Sequence, residues 1–495
     1  MVKRIRVILA ILAILSLTLL FLDFTGTAHF WLGWMAKIQF LPALLALNVV
    51  SLLFLLLLTL LFGRVYCSII CPLGIFQDIV SWIHGLSKRG RFRFSFTPAK
   101  SWLRYTMLGV TLLLFVLGLQ TWVGIIDPYA TYGRMVATFV SPLYRWANNF
   151  LADWAEKMDS YAIYSVDVWI KGGATFVIAL LTLVVLAILS WKSGRAYCNT
   201  ICPVGTILGL LSKHSLFVPV IDKEKCIGCG LCPRRCKSSC INPAERKIDY
   251  SRCVVCMDCM EVCKGKAISY RRRPTKATSS EKSGEVDMGR RSMLTASALF
   301  IASSSVKAAK KHVDGGLAYI EDKQIPNRQT PIVPPGALSI NNLALRCTAC
   351  QLCISACPSQ VLRPSSDLSR LMKPESSYER GYCRPECTRC SSVCPTGAIQ
   401  PITKEEKSSI QVGHAVFIKN NCIAFTKGVP CGNCARHCPT GAITMVPSDP
   451  KDESSIKIPA IDEERCIGCG ACENLCPARP FSAIYVEGHQ VHKII

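Results

Sequence analysis

Cys226-Ile-Gly-Cys229-Gly-Leu-Cys232-Pro-Arg-Arg-Cys236 and, shortly after it, Cys253-Val-Val-Cys256-Met-Asp-Cys259-Met-Glu-Val-Cys263 repeat one Cys-x2-Cys-x2-Cys-x3-Cys run. Three cysteines at this spacing bind one [4Fe–4S] cluster and the fourth crosses to a neighbouring cluster, so the pair reads as a two-cluster ferredoxin unit. The expected ligand sets are Cys226, Cys229, Cys232 and Cys263 for one cluster, and Cys253, Cys256, Cys259 and Cys236 for the other. Zinc sites use isolated Cys-x2-Cys pairs rather than a triple run, which sets zinc aside. The proline that usually follows the fourth cysteine is replaced by Lys237 and Lys264, and Cys240 is an extra thiol nearby. Spacing favours Cys236 over Cys240 as ligand.

Four more motifs lie downstream: Cys347, Cys350, Cys353 and Cys357; Cys383, Cys387, Cys390 and Cys394; Cys422, Cys431, Cys434 and Cys438; and Cys466, Cys469, Cys472 and Cys476. Each ends in Cys-Pro, and the CPTGAI turns at 394–399 and 438–443 are those of ferredoxin βαβ units. The gaps between motifs are nearly equal, so two pairings stand open. Adjacent pairing sends Cys394 to the cluster of the first of these motifs and Cys357 to that of the second; nested pairing joins first with fourth. In all, 24 of the 29 cysteines fall into six groups of four, and six [4Fe–4S] clusters are the expected cofactors. Disulfide frameworks belong mostly to short secreted chains without such spacing.

Upstream the composition turns apolar. Four runs, roughly 5–22, 40–62, 103–124 and 173–191, have the length of about 20 residues that a helix needs to cross a hydrocarbon core. Lys3, Arg4 and Arg6 precede the first run, and Arg64, Lys88, Arg89, Arg91, Arg93 and Lys100 fill the loop after the second, which marks those ends as cytoplasmic. Segment 142–170, aromatic with scattered charges, suits a helix in the outer interface. Gly63-Arg64-Val-Tyr66-Cys67-Ser-Ile-Ile-Cys71-Pro72-Leu-Gly74 matches Gly194-Arg195-Ala-Tyr197-Cys198-Asn-Thr-Ile-Cys202-Pro203-Val-Gly205 at eight of twelve positions, a duplicated helix pair. Cys67, Cys71, Cys198 and Cys202 have three readings: four thiolates for a seventh cluster, buried small residues beside prolines, or a redox thiol pair.

Between the two cysteine-rich regions, residues 271–289 are basic and then Ser-, Thr- and Gly-rich, a linker composition. Gly289-Arg290-Arg291-Ser292-Met293-Leu294 then leads into a short apolar stretch to about Val306, the pattern of a twin-arginine export signal. Everything after it is expected outside the cytoplasm. The expected fold class is therefore multidomain: a four-helix transmembrane unit with two CxxxCP motifs over 1–215, then α+β ferredoxin-like [4Fe–4S] domains. These are a two-cluster ferredoxin over 216–270, a linker over 271–340 and a four-cluster polyferredoxin over 341–495.

The formal charge of +24 treats cysteine as neutral. Six clusters of four thiolates on a core of about 2+ remove about 12 positive charges. Much of the rest flanks the apolar runs, and a nucleic-acid partner is not expected. No CxxCH occurs, none of the eight histidines sits inside an apolar run, and no dinucleotide fingerprint is present, which excludes c-type haem, membrane haem b and direct NADH oxidation.

The four-run unit with two CxxxCP motifs and a ferredoxin unit resembles the NapH/MauN group of membrane ferredoxins, NapH serving periplasmic nitrate reductase. The twin-arginine segment with four cluster motifs is similar to NapG, as if the two were fused over nearly the whole chain. The resemblance implies a quinol dehydrogenase component in a bacterial cytoplasmic membrane. It would take electrons from the quinone pool to a periplasmic or membrane-anchored cytochrome or reductase, with the first ferredoxin domain cytoplasmic and the last domain periplasmic. Quinol oxidation releases protons, and Asp23 and Asp127, at the ends of the first and third runs, are the expected acceptors. The rival reading is an iron–sulfur maturation or regulatory protein that reduces a metal centre or disulfide of a partner enzyme.

Overall fold

The structure, a computed structural model, describes residues 2–87, 92–273 and 321–495. The twin-arginine segment and its apolar stretch lie outside the described residues, as do Lys88, Arg89 and Arg91.

Two uninterrupted helices frame the N-terminal half, α1 (Val2–Leu22) and, later in the chain, Gly173–Ser193. Among the described residues these two are long and apolar enough to cross a membrane on their own. Frequent leucine and alanine, both good helix formers, and the lack of proline favour helix in both. Helix α1 buries Ala10, Ala13, Leu17, Leu20 and Phe21 along one stripe and exposes Ile8, Ile11 and Leu15 on the other side. A helix apolar all round belongs in a large core or a bilayer.

The other two expected spans are each broken. The second is α2 (Phe40–Leu45) followed by α3 (Val49–Phe62), parted at Leu47, which takes a left-handed φ of 53°, and restarted by the Asn48 side chain, which accepts from the Ser51 N–H. After α4 (Pro72–His84), the third is α5 (Ser101–Val116) followed by α6 (Gln120–Ile126), parted at Gly118 with φ 74°. Hydropathy registers neither break, because one left-handed residue stops a helix without changing its apolar content.

Helices α7 (Pro128–Met135), α8 (Ser141–Glu156), α9 (Gly173–Ser193) and α10 (Pro203–Ser212) complete this half. The interface helix expected over 142–170 is α8 only; the chain from 160 to 172 is not helical. Gly63 and Gly194, both at positive φ, end α3 and α9. Each is followed by one helical turn, and then by a proline at the first position of α4 or α10.

The two ferredoxin units are built from short antiparallel strand pairs and one-turn helices. In the first, β1 (Phe217–Ile221) pairs with the last strand of the unit, Ile268–Arg272, closing it between chain start and chain end. In the second, Ile410–Phe417 pairs with Ile484–Ile494, and Ile443–Asp449 with Asp452–Ile461. The expected linker ends earlier than 340. Lys323 Nζ already donates to the carbonyls of Glu473, Asn474 and Cys476, and Ile332 and Val333 are core residues, Ile332 packing with Val486 of the last strand.

The units sit at opposite ends of the helices. At the start of α1, Lys3 pairs with Asp258 at 2.9 Å; beyond its other end, the Phe24 carbonyl accepts from Arg389 at 3.2 Å. Helix α9 repeats this, with Gly172 against Pro364 and Gly194 against Lys237.

The duplicated turns interlock. A Cβ on Gly74 would strike the carbonyl oxygen of Cys67, and one on Gly205 that of Cys198. Gly74→Ala and Gly205→Ala should each cost about 1–3 kcal/mol through overpacking. Gly109→Ala, which meets open space inside α5, should be neutral to slightly stabilising. Thermal unfolding of the detergent-solubilised chain compares the three.

Candidate iron–sulfur centres

In the first ferredoxin unit, Cys226, Cys229, Cys232 and Cys263 line one cavity, and Cys236, Cys253, Cys256 and Cys259 line a second. These are the sets expected from spacing. The loops between cysteines take left-handed turns at matching positions: Gly228 and Gly230 in one motif, Val255 and Met257 in the other. Cys347-Thr-Ala-Cys350-Gln does the same at Ala349 and Gln351, and Cys466-Ile-Gly-Cys469-Gly at Gly468 and Gly470. Such turns align successive backbone N–H groups around a concavity that favours anions. A β-branched residue such as Val255 takes this conformation only under strain, which places the need at the site rather than in the chain.

In the second unit the structure resolves the pairing. Cys394 lies within electrostatic reach of Cys347, Cys350 and Cys353, and Cys357 within reach of Cys383 and Cys390. Cys476 joins Cys422, Cys431 and Cys434, while Cys438 joins Cys466, Cys469 and Cys472. Adjacent motifs therefore exchange their fourth cysteines. Burial pushes the thiols of Cys232, Cys347 and Cys434 up to about 11. A thiol whose burial opposes ionisation suits a site where a metal core supplies the compensating charge. Four thiols lining one cavity fit a group of several iron and sulfide ions.

The groups form a sequence in space. Cys383 N–H donates to the Cys469 carbonyl at 2.9 Å, and Tyr378 stands beside both residues. The first group of this unit, by contrast, faces the helices, where Gly124 packs on Thr348 and Gly133 on Cys350.

Between the two units, inside the helical half, Cys67, Cys71, Cys198 and Cys202 come together, each 3 % exposed. Two fully buried guanidiniums surround them. Arg195 donates to the Cys67 carbonyl at 2.6 Å, and Arg64 to the Cys198 carbonyl at 3.1 Å, each reaching from one repeat into the other. Arg195 is balanced by Asp78, at 2.8 Å. Arg64 takes part in no ion pair among the described residues; it holds Asn199, the Ser251 carbonyl and, at 3.9 Å, the Cys67 sulfur. A buried cation without a carboxylate is costly unless another anion is present, and four thiolates on an iron–sulfur core supply one.

On the side of the second unit, Asp127 lies within electrostatic reach of Tyr66, Tyr197, Tyr129 and Cys350. It is 2 % exposed, caps α7 by accepting from the Ala130 N–H at 2.7 Å, and burial raises its carboxyl to about 7. Asp23 is also buried. Burial alone would raise its pKa, but donors from His29, Gly26 and Thr25 outweigh this and hold it below the usual carboxylate range. Neither aspartate is a solvated boundary residue. Sequence reading misses His29, whose Nδ1 meets Asp23 at 3.0 Å while its buried Nε2 has no hydrogen-bond partner. A six-residue separation across a turn leaves no periodic signal.

The arrangement defines an iron–sulfur electron-transfer protein of ferredoxin type. The family described as a 4Fe-4S binding domain matches residues 44–91 and 174–222, which contain the two CxxxCP turns, and a 4Fe-4S dicluster domain matches 427–479. The chain is 32 % identical over 167 residues to the methylamine utilization ferredoxin-type protein MauM of Methylophilus methylotrophus, covering 32 % of this chain and 72 % of that protein. It is 30 % identical over 151 residues to the ferredoxin-type protein NapG of Escherichia coli, covering 29 % and 64 %. Against MauN of Paracoccus denitrificans it is 27 % identical over 187 residues, covering 38 % and 52 %. The chain belongs to the MauM/NapG family of ferredoxin-type proteins.

Cys240 remains to be placed. Its sulfur is 3.5 Å from that of Cys236, it is buried, and it lines the same cavity. Only one of the two can fill the corner. Cys236→Ser should therefore keep most of the iron of that site, whereas Cys236→Ser with Cys240→Ser should lose roughly four iron atoms per chain. Iron analysis of anaerobically reconstituted protein reads the difference.

Proposed function

We propose that this chain is a quinol dehydrogenase component that carries electrons through a membrane, from the quinone pool to a periplasmic cytochrome or reductase. The observation that carries the reading is the order of the cysteine groups: two at one end of the helices, the Cys67–Cys71–Cys198–Cys202 group in the middle, four at the other end. A bilayer of about 30 Å is too wide for one direct transfer between the two ferredoxin units. A redox group between them shortens each transfer.

The helical half then spans the membrane four times, twice by unbroken helices and twice by interrupted ones. Interruptions at membrane depth are acceptable where protein covers the freed backbone groups. The six ferredoxin groups and the central one would hold seven [4Fe–4S] clusters, which supply one-electron carriers. The chain's own part is to hold them in file, to neutralise the central one with Arg64 and Arg195, and to keep water from it.

Cys67→Ser combined with Cys198→Ser should lower iron from about 28 to about 24 atoms per chain. Reduction of the second unit's clusters by quinol should fall at least tenfold, while their reduction by dithionite stays complete. Quinol-driven reduction at the normal rate in this variant would exclude the central group from the path.

Export of the second unit rests on the twin arginine and on the basic Lys3, Arg4 and Arg6 at the opposite end. A reporter active only in the periplasm, fused after Ile495, should work, and Arg290→Lys with Arg291→Lys should silence it. Full activity in the double variant would mean that 289–306 acts as a plain membrane helix.

A further inference from the structure

A cavity of about 1030 Å³ opens between α1, α4 and the first ferredoxin unit. No motif of the sequence points to it. Its wall toward the outside of the helical half is apolar, formed by Val7, Ile11, Ile79 and Trp82, and three of these side chains are also exposed. Its floor is ionic. Asp78 there receives Arg6 at 3.1 Å, Arg195 at 2.8 Å and Lys237 at 3.4 Å. The Arg6 side chain is 9 % exposed, and its Nε has no hydrogen-bond partner.

We propose that this cavity binds the ring of a lipid-soluble para-quinone or quinol, a site at the end opposite to Asp23 and Asp127. The proposal rests on the reading that quinol is the electron donor. Three observations select this ligand class. The volume is that of sites for small organic molecules, which are mostly apolar with a few convergent polar groups. The apolar wall continues along the exposed face of α1, so that an isoprenoid tail can lie between Ile11 and the lipid. The lining sets Lys3, Arg6, Arg93, Arg235, Lys237 and Lys264 against Asp78, Asp258 and Glu261, so it offers several N–H donors and a positive field to the ring oxygens, most of all to an oxygen that is losing its proton.

The floor also touches both neighbouring redox groups. Lys237 follows Cys236 directly, and Asp78 lies within electrostatic reach of Cys256. Through Arg195 the same carboxylate reaches the Cys67 carbonyl. In the reaction the two O–H bonds of the quinol break. Its two electrons would pass one at a time to the oxidised iron–sulfur groups that Cys236, Cys253, Cys256 and Cys259 and the central cysteines would hold, each gaining one electron. Its two protons go to water at the mouth, where exposed Glu261 and Lys264 line the cavity.

The test uses the full, cluster-loaded chain in detergent and a decyl-substituted benzoquinone. Quenching of the Trp82 emission, taken as the part lost in Trp82→Phe, should saturate. Ile11→Phe with Ile79→Phe, which fills the cavity from two exposed positions, should weaken binding at least tenfold at unchanged iron content. It should slow cluster reduction by the matching quinol to the same degree. Quenching that does not saturate, or that the filled variant leaves unchanged, overturns the site. So does slowing by Asp127→Asn with none in the filled variant, which assigns oxidation to the other end. If quinol fails to reduce clusters in the unaltered chain while dithionite succeeds, the donor reading fails, whatever the cavity binds.

Discussion

The helical half depends on the burial of two guanidiniums beside four sulfurs. Arg64 and Arg195 each cross from one repeat to hold the carbonyl of the first cysteine in the other repeat. Burying a cation costs several kcal/mol unless charge and hydrogen bonds are returned to it, so neither repeat can form its cysteine turn without its partner. Gly74 and Gly205 belong to the same constraint, since the crossing needs the following helix to start flush against the turn. Around this centre the long helices pack, with their outer faces exposed.

The cysteine runs are legible in the sequence because a cluster fixes ligand spacing within a few residues, and each set of the first unit assembles as its motif implies. The pairing in the second unit is not legible. Its gaps are nearly equal, and the choice depends on how one-turn helices pack, as when Cys394 returns beside Cys347. The breaks at Leu47 and Gly118 escape for a different reason, since a hydropathy window averages over a single left-handed residue. The reach of the second unit back to Lys323 escapes because its Pro- and Gly-rich start looks like linker, although its carbonyl partners lie about 150 residues away in the chain. Asp23 and Asp127 are visible as charges at the ends of apolar runs. Their burial and their capping bonds are tertiary facts, and so is the pairing of Asp23 with His29.

The ferredoxin units show how local strain and site are linked. Glycine fills the left-handed positions in the Cys226 and Cys466 motifs, whereas Val255, Met257, Ala349 and Gln351 fill them in two others. The conformation is common to all four and the residue type is not. The cavity beneath it, rather than glycine's freedom, is therefore what determines the backbone there.

Helices α1 and α9 each touch both ferredoxin units, and this makes them rulers. The separation of the two ends is counted in residues, at about 1.5 Å each, and is independent of the thickness of whatever surrounds the helices. Length and angle are also tied together. One residue added inside α1 would turn its far end by about 100°, so that Lys3 and Phe24 could no longer both find Asp258 and Arg389. Relatives that keep this architecture can lengthen or shorten these two helices only in near-whole turns, and only in concert.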